Sequence, residues 1–473
     1  MTSPAQDALD LRALARTGPV HFAGVGGAGM VALAELLLRS GVTVSGCDLR
    51  DGENLRALGA RGATVFVGHD PGHLDGVAAL VVTAALPADH PEIMEARKRG
   101  IPVLKRAQAL GSWVNSGQVL AVAGTHGKTT TTALATEMLA AAGLDPTGVV
   151  GGRVEAWEGN LRYGTSDLFV VEADEYDRSF HALTPDVAVV TNLQADHLEV
   201  YGDLAGVEAG FRRFLDGLRD DGVVVACADD PGASRLLAGA EGRVVTYGIS
   251  AGSMLRAVDV QVAPDGVRCT LQENGNEVGP FHLSLGGRHN LRNALGAAAA
   301  GRALGADWNG LRRAAADFAG VGRRFQRVGM AGDVVVVDDY AHHPAEIDAT
   351  LDAARAQYPG HRLLVAFQPH LYSRTRDFAE EFGTAVARAD VVWVTDVFPA
   401  REKPIAGVTG ELVAAAAREI GTAEVRYEPV LEGLAPAMAG ELQAGDVVFT
   451  LGAGSIGTVG PTLLQLRREA LDA

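Results

Sequence analysis

Lysine is close to missing from this chain: 473 residues carry it only at positions 98, 105, 128 and 403. Charge of positive sign is short overall, and the formal net charge is −17. That balance excludes the basic face a nucleic-acid binder needs to displace counterions, although local arginines can still hold a small anion. Cysteine occurs three times, at Cys47, Cys227 and Cys269, far apart and without metal-type spacing. A set so sparse and odd excludes a disulfide framework and fits buried thiols in a reduced, cytosolic protein. Long apolar runs are absent too. None approaches membrane-spanning length, and the opening "MTSPAQDALDLRALARTG" has no apolar signal core, so a soluble cytoplasmic protein is expected. There is no short internal repeat and no low-complexity tail.

What remains is an α/β pattern. The length exceeds one ordinary core and predicts two or three domains, with 47% hydrophobic residues and 59 glycines that follow no triplet period. Residues 18 to 110 alternate apolar runs ("PVHFAGVG", "VTVSGCD", "TVFVG", "ALVVTAAL", "IPVLK") with helical stretches, which predicts βαβ units on a parallel sheet. "GSWVNSGQ", 111 to 118, reads as a polar linker. A second such run follows, with strands in "VLAVAG", "DLFVVEAD" and "DVAVVTNL". Short strands between 243 and 285 read as an antiparallel addition, and "GRHNLRNALGAAAAGRALG" as a helix entered through a loop. A third unit has strands in "DVVVVDDY", "RLLVAFQP", "VVWVTDVF" and "DVVFTLGAG". Three α/β domains are expected, over 1–115, 116–320 and 321–473.

Two glycine loops point towards a nicotinamide cofactor. In "HFAGVGGAGM", Gly24, Gly26 and Gly29 fit GxGxxG between a strand and a helix, and Asp48 closes the next strand where an acid would hold a ribose hydroxyl. "GAGSIG", 452 to 457, is a second match. A third loop carries sharper chemistry. In "VLAVAGTHGKTTTTALA" a buried strand runs into Gly124-Thr125-His126-Gly127-Lys128-Thr129-Thr130 and then into a helix. Strand, glycine turn and helix N-terminus present backbone N–H groups to phosphate; the lysine reaches the outer phosphates and the next hydroxyl can ligate Mg²⁺. Val122 stands where the longer P-loop pattern has a glycine, so this is the shorter GxxGK[ST] form. The alternative is a βα turn with an exposed lysine.

"VVEADEYD" then places Glu172, Asp174, Glu175 and Asp177 at a strand end, where a parallel sheet has its ligand crevice and hard carboxylate oxygens suit Mg²⁺. Glu172 adjoins the apolar strand, whereas Asp177 reads as a solvated acid. "TNLQADHLEVYG" repeats the geometry, with Asp196 and His197 available to a second cation or a phosphate; a lone histidine is as readily structural.

These three elements in this order resemble the Mur ligase family of ATP-dependent amide-forming enzymes. "HFAGVGGAGM", "GRHNLRNALGA", "FAGVGRRFQ", "DDYAHHPAE" and "FQPHLYSRTRD" are similar to segments of its alanine-adding branch, so the resemblance covers residues 18 to 460. It implies a Rossmann-like N-terminal domain, a P-loop-type central ATPase domain and a Rossmann-like C-terminal domain. It implies ATP and Mg²⁺ as cofactors, and UDP-N-acetylmuramate and L-alanine as substrates in cytoplasmic peptidoglycan precursor synthesis, by a monomer or weak homodimer. Gly24, Gly26, Gly27, Gly29 and Asp48 would then serve a UDP-sugar, because a glycine loop at a helix N-terminus binds any pyrophosphate.

By the same resemblance, Lys128 would hold the β/γ-phosphates, Thr129 and Glu172 a first Mg²⁺ and His197 a second. Asn290 and Asn293 would serve the adenine side and Asp339 the ribose. Arg324 would reach phosphate, unless its neighbour Arg323 does. Tyr340, His342, His370 and Arg374 would face sugar and amino acid, although "HH" before Pro344 reads equally as a helix start. Relatives that add later amino acids resemble one another in a metal-bridging carbamylated lysine; with no lysine between Lys128 and Lys403, this chain cannot make one in the central domain. Leu371 stands where the family often has arginine, and Ala341 where it often has glycine. The rival readings are a ligase that recycles intact peptide onto the same UDP-sugar, an NAD-dependent dehydrogenase, and a non-catalytic nucleotide-binding module.

Overall fold

In this computed structural model the described residues are 9–237, 243–263, 265–400 and 402–472. The first sheet contains β1 (Val20–Ala23), β2 (Val44–Asp48), β3 (Thr64–Val67), β4 (Ala79–Val82) and β5 (Val103–Lys105). All pair in parallel, in the order β3-β2-β1-β4-β5. β1 and β4 are buried along their whole length, as parallel strands must be when helices cover both faces. Strand order reverses at β1, so the crevice of this sheet opens beside Gly24.

The second sheet has ten strands. They are β6 (Gln118–Ala123), β7 (Thr147–Val154), β8 (Gly159–Arg162), β9 (Leu168–Glu172), β10 (Val187–Val190), β11 (Val223–Cys227), β12 (Arg243–Gly248), β13 (Leu255–Ala263), β14 (Gly266–Glu273) and β15 (Asn276–Leu283). Their order is β15-β14-β13-β12-β11-β10-β6-β9-β7-β8. β6 lies between β9 and β10, both parallel to it, so this sheet too reverses where its glycine loop leaves. The third sheet contains β16 (Gln326–Ala331), β17 (Val334–Asp339), β18 (Leu363–Phe367), β19 (Val391–Val394), β20 (Glu424–Tyr427) and β21 (Val447–Leu451), in the order β16-β17-β21-β18-β19-β20. Only β16 runs antiparallel, at the edge.

By compactness the chain forms two units. One holds the residues up to Asp259 with Cys269–His282 and Arg292–Phe318; the other holds Val260–Arg268, Leu283–Leu291 and the residues from Ala319 on. In the first unit a single apolar cluster runs from Leu11 through Leu33 and Trp113 to Phe211 and Leu236, so the first two sheets share a core. In the second unit, separate clusters cover the third sheet, one around Phe367 and Phe449 and one around Trp393 and Leu463.

Every strand expected from an apolar run in the three α/β runs is present, but two readings are corrected. "GSWVNSGQ" is not a linker: Gly111–Val114 complete a helix, Arg106–Val114, and Trp113 is 5% exposed. Gly111 is there for proximity, since a Cβ would stand 2.2 Å from the Ala182 carbonyl oxygen. The segment from 243 is not antiparallel throughout. β12 pairs in parallel with β11, and β13 with β12. The hairpin turn comes at Asn274-Gly275, both at positive φ (51° and 79°), the primed-turn geometry that Asn-Gly favours.

Candidate active site

The phosphate loop is shaped by what lies against it. β6 delivers the fully buried Val122 and Ala123 into Gly124, whose φ is 140° and whose Cβ, if it had one, would sit 1.9 Å from Thr191 Oγ1. Gly127, at φ 82°, begins the helix Lys128–Ala141 and faces Asn293 Oδ1, 2.4 Å from where a Cβ would be. The strap after β10 holds the loop from below. Asn192 Oδ1 accepts the His126 N–H (2.8 Å), Asn192 Nδ2 and Thr191 Oγ1 donate to the His126 carbonyl (3.0 and 2.7 Å), and Thr125 Oγ1 accepts the Gln194 N–H (2.9 Å). The first-turn amides of the helix, including those of Thr129 and Thr130, have no acceptor within it and form an anion cradle.

Lys128 folds over this cradle. Its Nζ donates to the Gly124 and Thr125 carbonyls (2.7 and 3.2 Å) and lies 3.0 and 2.8 Å from the two carboxylate oxygens of Glu175. Burial works against its charge, but Glu175, Asp174 and Glu172 more than offset that, and its pKa is raised. Glu172, closing β9, is raised by burial against the opposing Gly151 N–H, Thr129 hydroxyl and Lys128. Its Oε1 is buried with no hydrogen-bond partner among the described residues. An orphaned hard oxygen beside a threonine hydroxyl at a helix N-terminus is a donor set that fits Mg²⁺.

His197, at φ 52°, has Nε2 4.0 Å from Glu175 Oε1 and 3.9 Å from Asp196 Oδ2, with its ring edge-on to Tyr176. The structure therefore gathers Lys128, Thr129, Glu172, Glu175, Asn293 and His197 around one loop. Asp177 is exposed, as expected of a solvated acid, and pairs with Lys105 at 2.7 Å. Asn290, in the other unit, donates through Nδ2 to the Gly286 carbonyl (2.9 Å).

The first-sheet loop is built more simply. Asp48 Oδ2 accepts the Gly26 N–H (2.9 Å) and Asn54 Nδ2 donates to the Gly26 carbonyl (2.7 Å), so Asp48 shapes the loop itself. Gly27 opens the helix Ala28–Arg39. A Cβ on Gly29 would meet the Arg106 guanidinium at 3.1 Å, which puts a cation beside this helix N-terminus.

On the third sheet the two arginines differ in their hydrogen bonding. Arg323 is committed: Nε to Asp338 (3.0 Å), Nη1 to the Gly454 carbonyl (3.0 Å) and Nη2 to the Gly452 carbonyl (2.6 Å). Both guanidiniums lie over the Tyr340 ring, Arg323 at 5.1 Å and Arg324 at 5.0 Å from its centroid, and Arg324 also acts on Asp339. Burial raises Asp339 to about 6, against Arg324 and the N–H groups of Ala341 and Phe325 that its oxygens accept (2.8 and 2.7 Å). Ala341 is fully buried, its methyl part of the core. The rings of Tyr340, His342 and His370 follow one another at 5.3 and 5.8 Å. His343 caps the helix Pro344–Gln357 with Glu346, so the second histidine of "HH" is a helix start. Leu371 sits at φ 70° before the helix Tyr372–Asp377, which carries Arg374.

Three family models match: "Mur ligase family, catalytic domain" over 19–117, "Mur ligase middle domain" over 122–301 and "Mur ligase, glutamate ligase domain" over 323–454. The chain belongs to the Mur ligase family. It is 45% identical over 460 residues to a UDP-N-acetylmuramate–L-alanine ligase of Acidothermus cellulolyticus, covering 96% of each chain. A protein of the same name from Solidesulfovibrio magneticus is 43% identical over 95% of this chain and 98% of its own. Among solved structures, a UDP-N-acetylmuramate-alanine ligase from Thermotoga maritima superposes with a TM-score of 0.82 at 28% identity, covering 96% of this chain and all of that one. A murein peptide ligase from Psychrobacter arcticus gives 0.71 at 25%, over 95% and 99%. These Mur ligases share the three-domain α/β fold seen here.

Sequence reasoning passed over Arg106, Asn54, Thr191, Asn192 and Gln194. It placed Glu175 in an acidic cluster without seeing its lysine. Only "TNLQ", polar residues leaving a buried strand beside the phosphate loop, carried a usable signal.

Proposed function

We propose that the chain uses ATP to join L-alanine to the lactyl carboxylate of UDP-N-acetylmuramate, in the cytoplasm. The observation that carries the chemistry is Lys128 in a glycine cradle with Glu172 beside it, a set with no use in hydride transfer. The relatives that span nearly the whole chain at 43–45% identity support the amino acid and the sugar.

A carboxylate will not react with an amine at neutral pH, because oxide is too poor a leaving group. The lactyl carboxylate oxygen therefore attacks the γ-phosphorus of ATP, the bond to the β-phosphate oxygen breaks, and an acyl phosphate and ADP result. The alanine amine attacks the acyl carbon through a tetrahedral intermediate, loses a proton, and phosphate leaves. The protein's part is positioning and charge neutralisation as anions meet. Lys128 leaves Glu175 for the β/γ-phosphates, while the amides around Gly127, Lys128 and Thr130 hold the phosphate oxygens. Mg²⁺, with Thr129 and Glu172 for one ion and His197 for a second, would supply further charge neutralisation there.

Asn293 lies at the phosphate loop itself, and Asn290 serves the adenine side through what its Gly286 bond leaves available. Arg324 reaches the phosphates, Asp339 the ribose, and Arg374 the alanine carboxylate, with Tyr340, His342 and His370 facing sugar and amino acid. Gly24, Gly26, Gly27 and Gly29 with Arg106 take the UDP diphosphate. The reading expects substrate-driven domain closure. A radius of gyration that shrinks when nucleotide and UDP-sugar are added is expected; an unchanged radius counts against closure.

The deciding assay is phosphate release with UDP-N-acetylmuramate, ATP and Mg²⁺, in parallel with L-alanine, glycine, L-serine and a peptide acceptor. Release strongest with L-alanine, with a product heavier by one alanyl residue, is expected. Release only with the peptide moves the chain to recycling, and release with none overturns the reading.

A further inference from the structure

Away from the phosphate loop, the first sheet gathers a set of side chains that the ligase reaction does not use. His21 comes from β1, Cys47 from β2, His69 and His73 from the turn after β3, and Glu92 from the helix Pro91–Lys98, with His90 just before it. Five histidine or cysteine side chains surround one carboxylate that has no solvent exposure.

The arrangement has two sides. Around Glu92 Oε1 stand His73 Nδ1 at 3.2 Å, Cys47 Sγ at 3.2 Å and His21 Nε2 at 3.9 Å. These four residues each present one donor atom, and all four atoms lie within 4.8 Å of one another. On the Oε2 side are His69 Nδ1 at 3.1 Å and His90 Nδ1 at 3.8 Å, and His69 Nδ1 is also 3.2 Å from Cys47 Sγ.

We propose that His21, Cys47, His73 and Glu92 form a structural Zn²⁺ site in the first domain. The donors are two imidazoles, one thiolate and one carboxylate, the nitrogen, sulfur and oxygen mixture that zinc accepts in four-coordinate geometry. Their mutual distances, from 3.2 to at most 4.8 Å, need only small adjustments in either direction, because ligand atoms about 2.0–2.3 Å from a tetrahedral centre lie roughly 3.3–3.8 Å apart. Charge closes as well: a thiolate and a carboxylate balance a dication, leaving a buried site neutral. His21 Nε2 is buried and has no hydrogen-bond partner among the described residues, and a ligand role supplies one. Its other nitrogen, Nδ1, sits 2.8 Å from Ser45 Oγ, which fixes the ring with Nε2 turned inward. That is how outer-shell partners orient ligating histidines. Glu92 extends the same logic, its Oε2 held by His69. All four positions are filled by protein, so the ion ties β1, β2, the β3 turn and a helix together without doing chemistry. Cys47 adjoins Asp48, which holds Gly26, so the clip also braces the glycine loop of this sheet.

The test uses the full-length protein, stripped with a chelator and titrated with Co²⁺ as a spectroscopic stand-in, beside zinc analysis of the untreated protein. A thiolate-to-cobalt charge-transfer band is expected, saturating at one ion per chain and displaced by Zn²⁺. The band separates this site from the phosphate loop, whose donors include no sulfur; Cys227 and Cys269 belong to no metal-competent group among the described residues. Cys47→Ser should abolish the band while circular dichroism shows the protein folded, and His69→Gln should weaken the ion by roughly 10–100-fold, as outer-shell changes do. Absence of the band in the folded wild type, or its persistence in Cys47→Ser, overturns the proposal. The cluster would then be a buried carboxylate served by histidine hydrogen bonds alone. Neither outcome depends on ligase activity.

Discussion

The loops at 124–130 and 452–457 both leave buried parallel strands through glycine and enter helical turns, yet they differ in what fills them. At 452–457 the space belongs to the protein. Gln368 Oε1 accepts the Ile456 N–H (3.0 Å), the Gly452 N–H goes to the Asp339 carbonyl (3.1 Å), and Arg323 occupies the carbonyls of Gly452 and Gly454. At 124–130 the helix amides stand under a lysine that bridges to a buried carboxylate partner, Glu175. The loop at 24–29 is intermediate, with its backbone held by Asp48 and Asn54 and a guanidinium at its helix. Three glycine patterns of similar appearance thus have three fates. The side chains facing them, from elsewhere in the chain, decide which.

The sharpest way to break the comparison is at Lys128. Lys128→Ala should lower kcat by about 10³-fold, since on the proposed mechanism it removes a charge that stabilises the transferring phosphoryl group. It also strands Glu175, 2% exposed, so Lys128→Ala combined with Glu175→Gln should recover thermal stability without recovering turnover. A double variant that works as well as wild type would make the lysine a structural clamp, like Arg323.

The two arginines of the third sheet should separate by readout. Arg324→Ala is expected to cut kcat by about 10²–10³-fold with an unchanged Tm. Arg323→Ala should cost about 3 kcal/mol of stability, through Asp338 left unpaired, and spare kcat of the folded fraction. If the phenotypes exchange, the assignment of Arg324 to phosphate is wrong.

Asp339 tests the same region by pH. An unfolded aspartate releases its proton near 4, whereas burial holds that of Asp339 until about 6. The folded state binds more protons in that window, so stability present below it is lost as pH rises through about 6, by about 3 kcal/mol in all. Urea unfolding across the window should show this fall in wild type and its loss in Asp339→Asn. Parallel curves would mean the carboxyl is not raised.

Legibility in the sequence followed the same division between local and distant causes. Strands buried on both faces tend to read as apolar runs, so β6, β10, β17 and β21 are expected from the sequence, although β11, buried along its whole length, is not among the strands named there. β7 is interrupted by glycine in "TGVVGGRV", and β16 and β20 are half-exposed edges; no run marks them. The phosphate loop was legible because strand, lysine and helix are contiguous. Arg106 over Gly29, Glu175 under Lys128 and four histidines around Glu92 are meetings of distant residues, which periodicity does not encode.

Arg106→Ala should act on the first loop alone. Loss of one charge-assisted contact is worth about 1.5–3 kcal/mol, so KM for the UDP-sugar should rise roughly 10- to 100-fold with kcat unchanged. An unchanged KM would leave that loop to bind diphosphate through its amides only.

The smallest change asks how much of each loop's glycine content is conformational. Gly27 has an ordinary φ of −69°, and its Cβ would meet nothing closer than the Gly24 carbonyl at 3.8 Å. Gly127, its counterpart at the other helix start, sits at φ 82° against Asn293. Gly27→Ala should therefore cost about 0.5 kcal/mol, the difference between glycine and alanine at a helix N-cap, and leave KM for the UDP-sugar where it was. Gly127→Ala should lose far more, because a left-handed residue and a clash with the asparagine come together. If Gly27→Ala instead abolishes sugar-nucleotide binding in a protein that is still folded, the bare backbone at 27 is needed for the approach of the diphosphate itself. The first loop would then be as specialised for its ligand as the phosphate loop is for ATP, and would merely lack the lysine.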